Sequence, residues 1–419
     1  MSDTGHMIPC RECGVEIPDF LANHLLEVHG LSTAEYLSKY PGALTVSSRL
    51  LKRFQAAHPN VHRSHPPAPS ELTVSIANVD FPVNPLVPAS ACLPMPEHYR
   101  VPQYGELGDD ICLTVVPLRM GRSCFIWGMP GTGKDAFFHY WSWVTRTPAM
   151  IRQIKPGTDI ESWYFSRGFT EKGTFWEEGA VTKALRDGYE TLSPVTGKLI
   201  RIPYLVLLTD FDRADPDQGE QLRLVTDSIS KRIDGPAGLV YDVLPGTIIA
   251  ATANTSGGGD ERGRMISARP IDASILERFD VGFQFHAMDW RDEEPILRAK
   301  FPVLAQRCPS AFKKLGDTTK LLRDAIAKDE LHCEFSHRGL CSVARMAQDI
   351  LLCNPSKSVP KNLLALSSRV WLDRLPDRDN REKARKIMDG HLATLDEGDV
   401  ARSPAGNLLD QVGGKRGSR

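Results

Sequence analysis

The 419-residue sequence has no surplus of either charge: 51 lysines and arginines against 52 acidic residues leave a formal net charge of −1. No global field therefore draws the chain onto nucleic acid or an anionic membrane, and any such contact has to be local. Long apolar runs are missing too. The longest, Tyr204 to Leu208 and Thr247 to Ala253, fall far short of the ~20 residues that cross a bilayer, and the amino terminus lacks a signal-peptide pattern. The expectation is a cytoplasmic protein. Nine cysteines are an odd number without framework spacing, which argues against a disulfide scaffold and for metal ligation or free thiols. No internal repeat is found. With 41% hydrophobic and 25% charged residues, what remains is an ordinary globular composition on a chain long enough for two or three domains.

Changes of texture divide the chain. Residues 1–44 form a small Cys/His module, and 45–69 carry Arg49, Lys52, Arg53, His58, His62 and His65 before Pro66, Pro67 and Pro69. That composition predicts a basic, proline-stiffened linker, with solvated rather than metal-bound histidines. The alternation from Leu72 to Val79 predicts a short strand or hairpin, inside an otherwise irregular, proline-rich lead-in that spans 70–105. Between 106 and 288, short apolar runs of β type alternate with helical patterns, as βαβ units around a parallel sheet do. Residues 289–375 read as a small all-helical appendage and 376–419 as a polar tail. The expected fold class is therefore α/β, a parallel-sheet core followed by helices.

The strongest motif lies in the core. After the strand Cys124-Phe125-Ile126-Trp127 comes Gly128-Met129-Pro130-Gly131-Thr132-Gly133-Lys134-Asp135, and then a helical pattern. This is GxxxxGK in its strand–loop–helix setting. The glycines let backbone N–H groups close around phosphate oxygens, the helix amino terminus adds its positive end, and Lys134 reaches the β- and γ-phosphates.

One position departs from the pattern, because Asp135 stands where Ser or Thr normally gives a hydroxyl to Mg²⁺. The second strand, Tyr204 to Leu208, runs into Thr209-Asp210-Phe211-Asp212, where Asp followed by Glu is usual. The two departures are reciprocal: a carboxylate replaces a hydroxyl on the loop, and a hydroxyl (Thr209) replaces a carboxylate on the strand. One of each would still face the magnesium. Asp210 then holds the position of the carboxylate that orients the attacking water. A second assignment gives the metal to Asp210 or Asp212 and leaves Thr209 incidental.

The third strand ends in Asn254, where an Asn can hydrogen-bond the γ-phosphate or the water. Gly257-Gly258-Gly259 then opens a loop predicted to be mobile, and an amphipathic segment ends at Glu277-Arg278-Phe279-Asp280. In a ring ATPase such an Arg stabilises charge on the neighbouring subunit's nucleotide; Arg269 is the second candidate, and a surface ion pair of Arg278 the plain alternative. In the helical appendage, Phe335-Ser336-His337-Arg338 opens a helix with Ser336 as its expected cap, so that Arg338 in the first turn can point back at a nucleotide.

Together these residues resemble AAA+ ATPases of the MoxR/CobS type, the group that includes the ATPase subunit of aerobic cobalt chelatase. The likeness spans about 100–350 and rests on GMPGTGKD, the segment Gly173 to Gly179, FDRADPD at 211–217, ATANTSGGG at 251–259, LERFD at 276–280 and SHR at 336–338. It implies a hexameric ring, ATP bound with Mg²⁺ between subunits, a helical lid carrying Arg338 as second sensor, Arg278 as finger, and a von Willebrand A-domain partner. Departures from the pattern are Asp135, Thr209, a hairpin insert at Gly188 to Arg201, and the amino-terminal module, so cobalt chelation does not follow.

In that module Cys10, Cys13, His24 and His29 have the count and spacing of a closed tetrahedral zinc site, with both histidines on one helix. The module resembles the zinc finger of Ros/MucR-type regulators. A finger can read a major groove, dock a protein or only fold its segment. The helix face offers Asp19, Asn23 and Glu27 rather than arginines, which favours protein docking over guanine reading. Two function classes follow: an ATP-hydrolysing ring motor that remodels a partner protein recruited by the finger, or a nucleic-acid-binding protein whose ring is a DNA-associated motor or a nucleotide-gated regulator.

Overall fold

A computed structural model describes residues 7–18, 21–31, 36, 39–40, 43, 73–170, 173–194, 196–215, 218, 221, 232–259, 267–354 and 359–393. The expected linker with His58, His62 and His65, the loop after Gly259, the side chains of Asp19, Asn23 and Glu27, and the tail from residue 394 lie outside the described residues. The chain forms two compact units, Met1–Pro69 and Ser70–Arg419.

The first unit is a ββα module. Strand β1 (Met7–Pro9) pairs antiparallel with β2 (Glu16–Pro18), and helix α1 spans Ala22–His29. The connecting turn closes when the Gly14 N–H donates to Cys10 O at 2.7 Å. Among the described residues its buried core is Ile8, Cys10, Leu21, Leu25 and Tyr36.

The second unit opens with a hairpin, β3 (Thr73–Ile76) and β4 (Val79–Pro82). Its two turn residues, Ala77 and Asn78, both have positive φ, 48° and 64°, which matches the twist of a tight two-residue hairpin. Helix α2 (Gly105–Arg119), β5 (Cys124–Trp127), α3 (Lys134–Thr145) and β6 (Ala149–Gln153) follow. Next come a short helix α4 (Glu161–Tyr164), a hairpin β7 (Phe165–Thr170) and β8 (Gly173–Glu178), and α5 (Ala180–Asp187). The insert expected at Gly188 is present as the hairpin β9 (Tyr189–Leu192) and β10 (Leu199–Ile202). Strand β11 (Leu205–Thr209), the hairpin β12 (Arg232–Asp234) and β13 (Val240–Asp242), β14 (Ile248–Ala253), α6 (Ala273–Leu276) and β15 (Val281–Gln284) complete the core.

Five of these strands form one parallel sheet in the order β15-β5-β14-β11-β6. Strand β14 is buried at all six positions and β11 at its first four, because strands covered on both faces read as continuous apolar runs rather than as alternations. In β5, Cys124 and Ile126 point into the layer of α2 and α3 with Phe137, Phe138 and Trp141. Phe125 points the other way, onto Phe211, Phe279 and Leu185. The two-residue period of a strand thus divides the core into two layers.

Helices α7 (Trp290–Lys300), α8 (Pro302–Arg307), α9 (Ala311–Ala327), α10 (His337–Cys353), α11 (Leu363–Leu372) and α12 (Arg378–Leu392) build the helical region around Leu297, Phe312, Leu340, Trp371 and Met388. The polar stretch expected as tail from 376 begins instead with α12. Ala384, Met388 and Leu392 recur every four residues and are buried in the helical core, so one narrow apolar stripe is enough to seat an otherwise charged helix. Among the described residues no helix is long and apolar enough to cross a membrane.

Candidate nucleotide site and cysteine–histidine centre

The phosphate loop leaves the carboxyl end of β5 in the middle of the sheet. Its backbone needs glycine where no side chain fits. At Gly131 (φ 82°) a Cβ would sit 2.7 Å from Ser336 Oγ and 2.8 Å from Arg338 Cβ. The first turn of α10 therefore rests directly on the loop. The Arg338 N–H, one of the donors a helix start leaves without an internal partner, approaches Gly131 O at 3.4 Å. Ser336 occupies the cap position as expected, yet its hydroxyl makes no capping hydrogen bond; it is turned to the loop.

Lys134 opens α3 and is 7% exposed. Its Nζ donates to Gly128 O at 2.6 Å, Met129 O at 3.1 Å and Asn254 Oδ1 at 3.3 Å. Burial lowers its pKa, against the opposing charges of Asp135, Asp212 and Asp210. Thr132 Oγ1 donates to Met129 O at 3.0 Å and braces the loop from within. Pro130 and Gly133 complete it, Gly133 with φ 108° as the residue preceding the helix.

The carboxylates divide into three roles. Asp135 accepts a 2.7 Å hydrogen bond from Thr252 Oγ1. Strands β11 and β14 run in register with Leu208 opposite Ala251, so Thr209 and Thr252 occupy the next rung and the same face. The hydroxyl that meets Asp135 is thus one strand over from the one the sequence singled out. Asp210 sits at the carboxyl end of β11 with φ 56°. Gln153 Nε2, from the end of neighbouring β6, donates to its Oδ2 at 2.8 Å, and Asn254 Nδ2 approaches Oδ1 at 3.5 Å. Asp212 is fully buried, and its Oδ2 accepts from Asn254 N, Thr255 N and Thr255 Oγ1 at 3.0 to 3.1 Å. Through Oδ2 it anchors the turn that presents Asn254, while its Oδ1 is buried without a hydrogen-bond partner.

Arg278 follows α6 and precedes β15, whose Val281 pairs with Cys124 at the amino-terminal end of β5. The phosphate loop leaves the other end of β5, so Arg278 and Lys134 adjoin opposite ends of two neighbouring strands. Arg269 donates its backbone N–H to Asp212 O at 2.6 Å and forms an ion pair with Asp215; it is engaged within its own chain.

Sequence reasoning missed Gln153 and Thr252. Neither carries a local signal: each is a single polar residue in or at the end of a strand, and only strand order places it beside a carboxylate. The oxygen donors on this edge suit Mg²⁺, which prefers carboxylate, hydroxyl and phosphate oxygen. Asp135 engages Thr252 through Oδ1 alone, which leaves its second oxygen for an ion.

In the amino-terminal unit Cys10, Cys13, His24 and His29 bring one donor atom each within 4.8 Å of one another. Cys13 Sγ to His24 Nε2 is 3.2 Å, His29 Nε2 to His24 Nε2 3.2 Å, and Cys10 Sγ to His29 Nε2 3.6 Å. Ligand pairs on a tetrahedron with bonds of about 2.0–2.3 Å are separated by distances of this order, so the donor set fits zinc.

The parallel sheet, the phosphate loop on β5 and the helical region set on that loop make an AAA+ type of P-loop fold. No protein-family model and no curated protein matches the chain. Solved structures similar to it include a point mutant of RuvB from Thermotoga maritima, at 11% identity and a TM-score of 0.41, covering 64% of this chain and 71% of that one. Another is Thermotoga maritima RuvB described as a Holliday junction branch migration motor, at 12% identity and a TM-score of 0.37, covering 63% and 67%. A third is a candidate ATPase from Cytophaga hutchinsonii, at 12% identity and a TM-score of 0.29, covering 69% and 89%.

Proposed function

We propose that the chain is an ATP-hydrolysing AAA+ motor of the MoxR/CobS kind, which remodels a partner protein. The observation that carries this reading is the junction at Gly131, where the phosphate loop of the core meets Arg338 of the helical lid. Gly128, Pro130, Gly131, Thr132 and Gly133 would cradle the phosphates, and Lys134 would exchange its loop carbonyls for phosphate oxygens. Asp210 would take the proton of the attacking water, held in place by Gln153 and Asn254. Asp135, steadied by Thr252, and Thr209 would hold Mg²⁺. When bound, that ion neutralises charge on the phosphates.

Arg278 precedes the strand end opposite the one from which the phosphate loop leaves, and in this reading it serves the nucleotide of the next subunit in a homo-oligomeric, hexameric ring. The zinc-bearing finger would recruit the target, and a von Willebrand A-domain protein is the partner class that the resemblance implies. Calorimetry on Lys134→Ala tests the nucleotide site. Tight ATP binding should be lost, since the backbone cannot replace the ammonium; unchanged affinity would remove the site. A salt-dependent shift of DNA by the isolated protein would move the finger to the nucleic-acid class instead.

A further inference from the structure

The helical region contains a buried ionic network separate from the proposed nucleotide contacts. Glu293, in the first turn of α7, is fully buried. Its Oε1 accepts from His337 Nδ1 at 2.9 Å and from Arg323 NH2 at 3.1 Å, and its Oε2 accepts from Arg323 NH1 at 2.8 Å. A carboxylate without access to water is tolerated only when its lone pairs are met in this way. Burial raises its pKa, but the bonds to His337 and Arg323 outweigh that and hold it lowered overall.

What the network grips is informative. Arg323 also donates from NH1 to Met288 O at 3.1 Å and from Nε to Phe335 O at 3.2 Å. Met288 belongs to the core: its Cε lies 3.5 Å from where a Cβ on Gly133 would stand, beneath the phosphate loop. Phe335 is the residue before Ser336. On the other side, His337 is covalently next to Arg338, whose Cβ and N–H meet Gly131. The contacts thus close a circuit from Gly133 through Met288, Arg323 and Phe335 to Arg338 and back to Gly131.

The segment leading into Arg338 is pinned twice, at Phe335 O and at the His337 ring. The far edge of that ring, Nε2, faces Cys341 Sγ at 3.2 Å and Lys300 Nζ at 3.4 Å. Burial works against a charge on the ring, while the bonds to Cys341 and Glu293 raise its pKa to about 9; Lys300 is the group there that favours the neutral form. The bond from Nδ1 to Glu293 is made in either form.

We propose that Glu293, acting through Arg323 and His337, positions Arg338 against the phosphate loop and so sets nucleotide affinity, although none of the three touches the loop. The inference rests on Arg338 facing bound nucleotide. None of the three is a catalytic residue; each acts through Arg338, and a side chain merely filling space in the lid would not show coupling to it.

The test is the affinity of the full-length chain for a fluorescent ATP analogue, measured for Arg338→Ala, His337→Ala and the double variant, with thermal melting alongside. Arg338→Ala should weaken binding. His337→Ala should weaken it about tenfold in the parent and less than about twofold in the Arg338→Ala background, a coupling within the range of contacting residues. His337→Asn places an amide donor where Nδ1 was and should bind as the parent does; His337→Gln places it where Nε2 was and should not. This pair decides the matter if His337→Ala does not fold. Equal losses in both backgrounds, or equal behaviour of Asn and Gln, would overturn the positioning role alone. An unchanged affinity of Arg338→Ala would instead remove Arg338 from the nucleotide site, and the proposed function would lose its lid.

Discussion

The two candidate sites are built on opposite principles. In the amino-terminal unit four ligands come from residues 10 to 29, and among the described residues the buried side chains beneath them, besides Cys10 itself, are Ile8, Leu21, Leu25 and Tyr36. The nucleotide site draws Lys134, Gln153, Asp210, Thr252, Asn254 and Arg338 from strands and helices spread over some two hundred residues. Its parts are placed by a large two-layered core. A small module lacks the apolar area to offset its chain entropy and must take folding free energy from a metal. A large one gets its precision from packing, and can hold polar groups poised around a phosphate loop.

The sharpest way to break the comparison is to deprive the proposed zinc site of its metal. Chelation, or Cys10→Ser, should unfold the finger completely, since structural zinc contributes ~10–16 kcal/mol in such modules. The ATP affinity of the remainder should stay as it was. Amide exchange read separately over residues 7–31 and 73–393 checks this; protection of the finger that survives chelation would show that its core suffices.

Next in size is the completeness of each site within one chain. The amino-terminal unit holds all four ligands itself, whereas Arg278 stands at the strand end opposite the one that carries Lys134. Arg278→Ala should therefore preserve nucleotide binding and lower turnover roughly 10³-fold, as loss of an arginine finger does. Mixing it with Lys134→Ala should restore phosphate release, because a mixed ring contains interfaces with an intact loop on one side and an intact Arg on the other. No recovery on mixing would place Arg278 outside the site.

The smallest effect concerns Asp135. Its hydrogen bond to Thr252 predicts that Asp135→Asn and Thr252→Val are coupled by ~0.5–3 kcal/mol in the Mg²⁺ dependence of nucleotide affinity. Asp135 paired with Thr209 should show less, and Thr252→Ser should behave as the parent. A stronger coupling to Thr209 would mean that the shared ion, and not the hydrogen bond from Thr252, is the main link to Asp135.

Much of this is legible in the order of residues alone. The phosphate loop, the end of each apolar strand and the Cys/His spacing are local patterns, set by chemistry that a few consecutive residues must supply. The insert hairpin announces itself by its turn residues. The helix Arg378–Leu392 does not, because three apolar positions among many charges look like a solvated segment until a neighbouring groove is there to receive them. Ser336 is legible as a helix start but not in its contact, since its hydroxyl faces a loop some two hundred residues earlier.

The amino-acid sequence by itself determined which chemistry is present: a lysine and glycines for phosphates, carboxylates for a divalent ion, thiols and imidazoles for a softer one. Tertiary structure alone decided which of these groups meet. Strand order set Thr252 rather than Thr209 against Asp135 and gave Asp210 its partner Gln153. It also turned Asp212 inward as an anchor, and set Arg278 at the strand end opposite the phosphate loop. The reason is physical: a parallel sheet joins residues by rung and by face, across separations for which sequence spacing carries no signal. A buried network such as Glu293–Arg323–His337 exists only once packing has excluded the water that would otherwise satisfy each member separately.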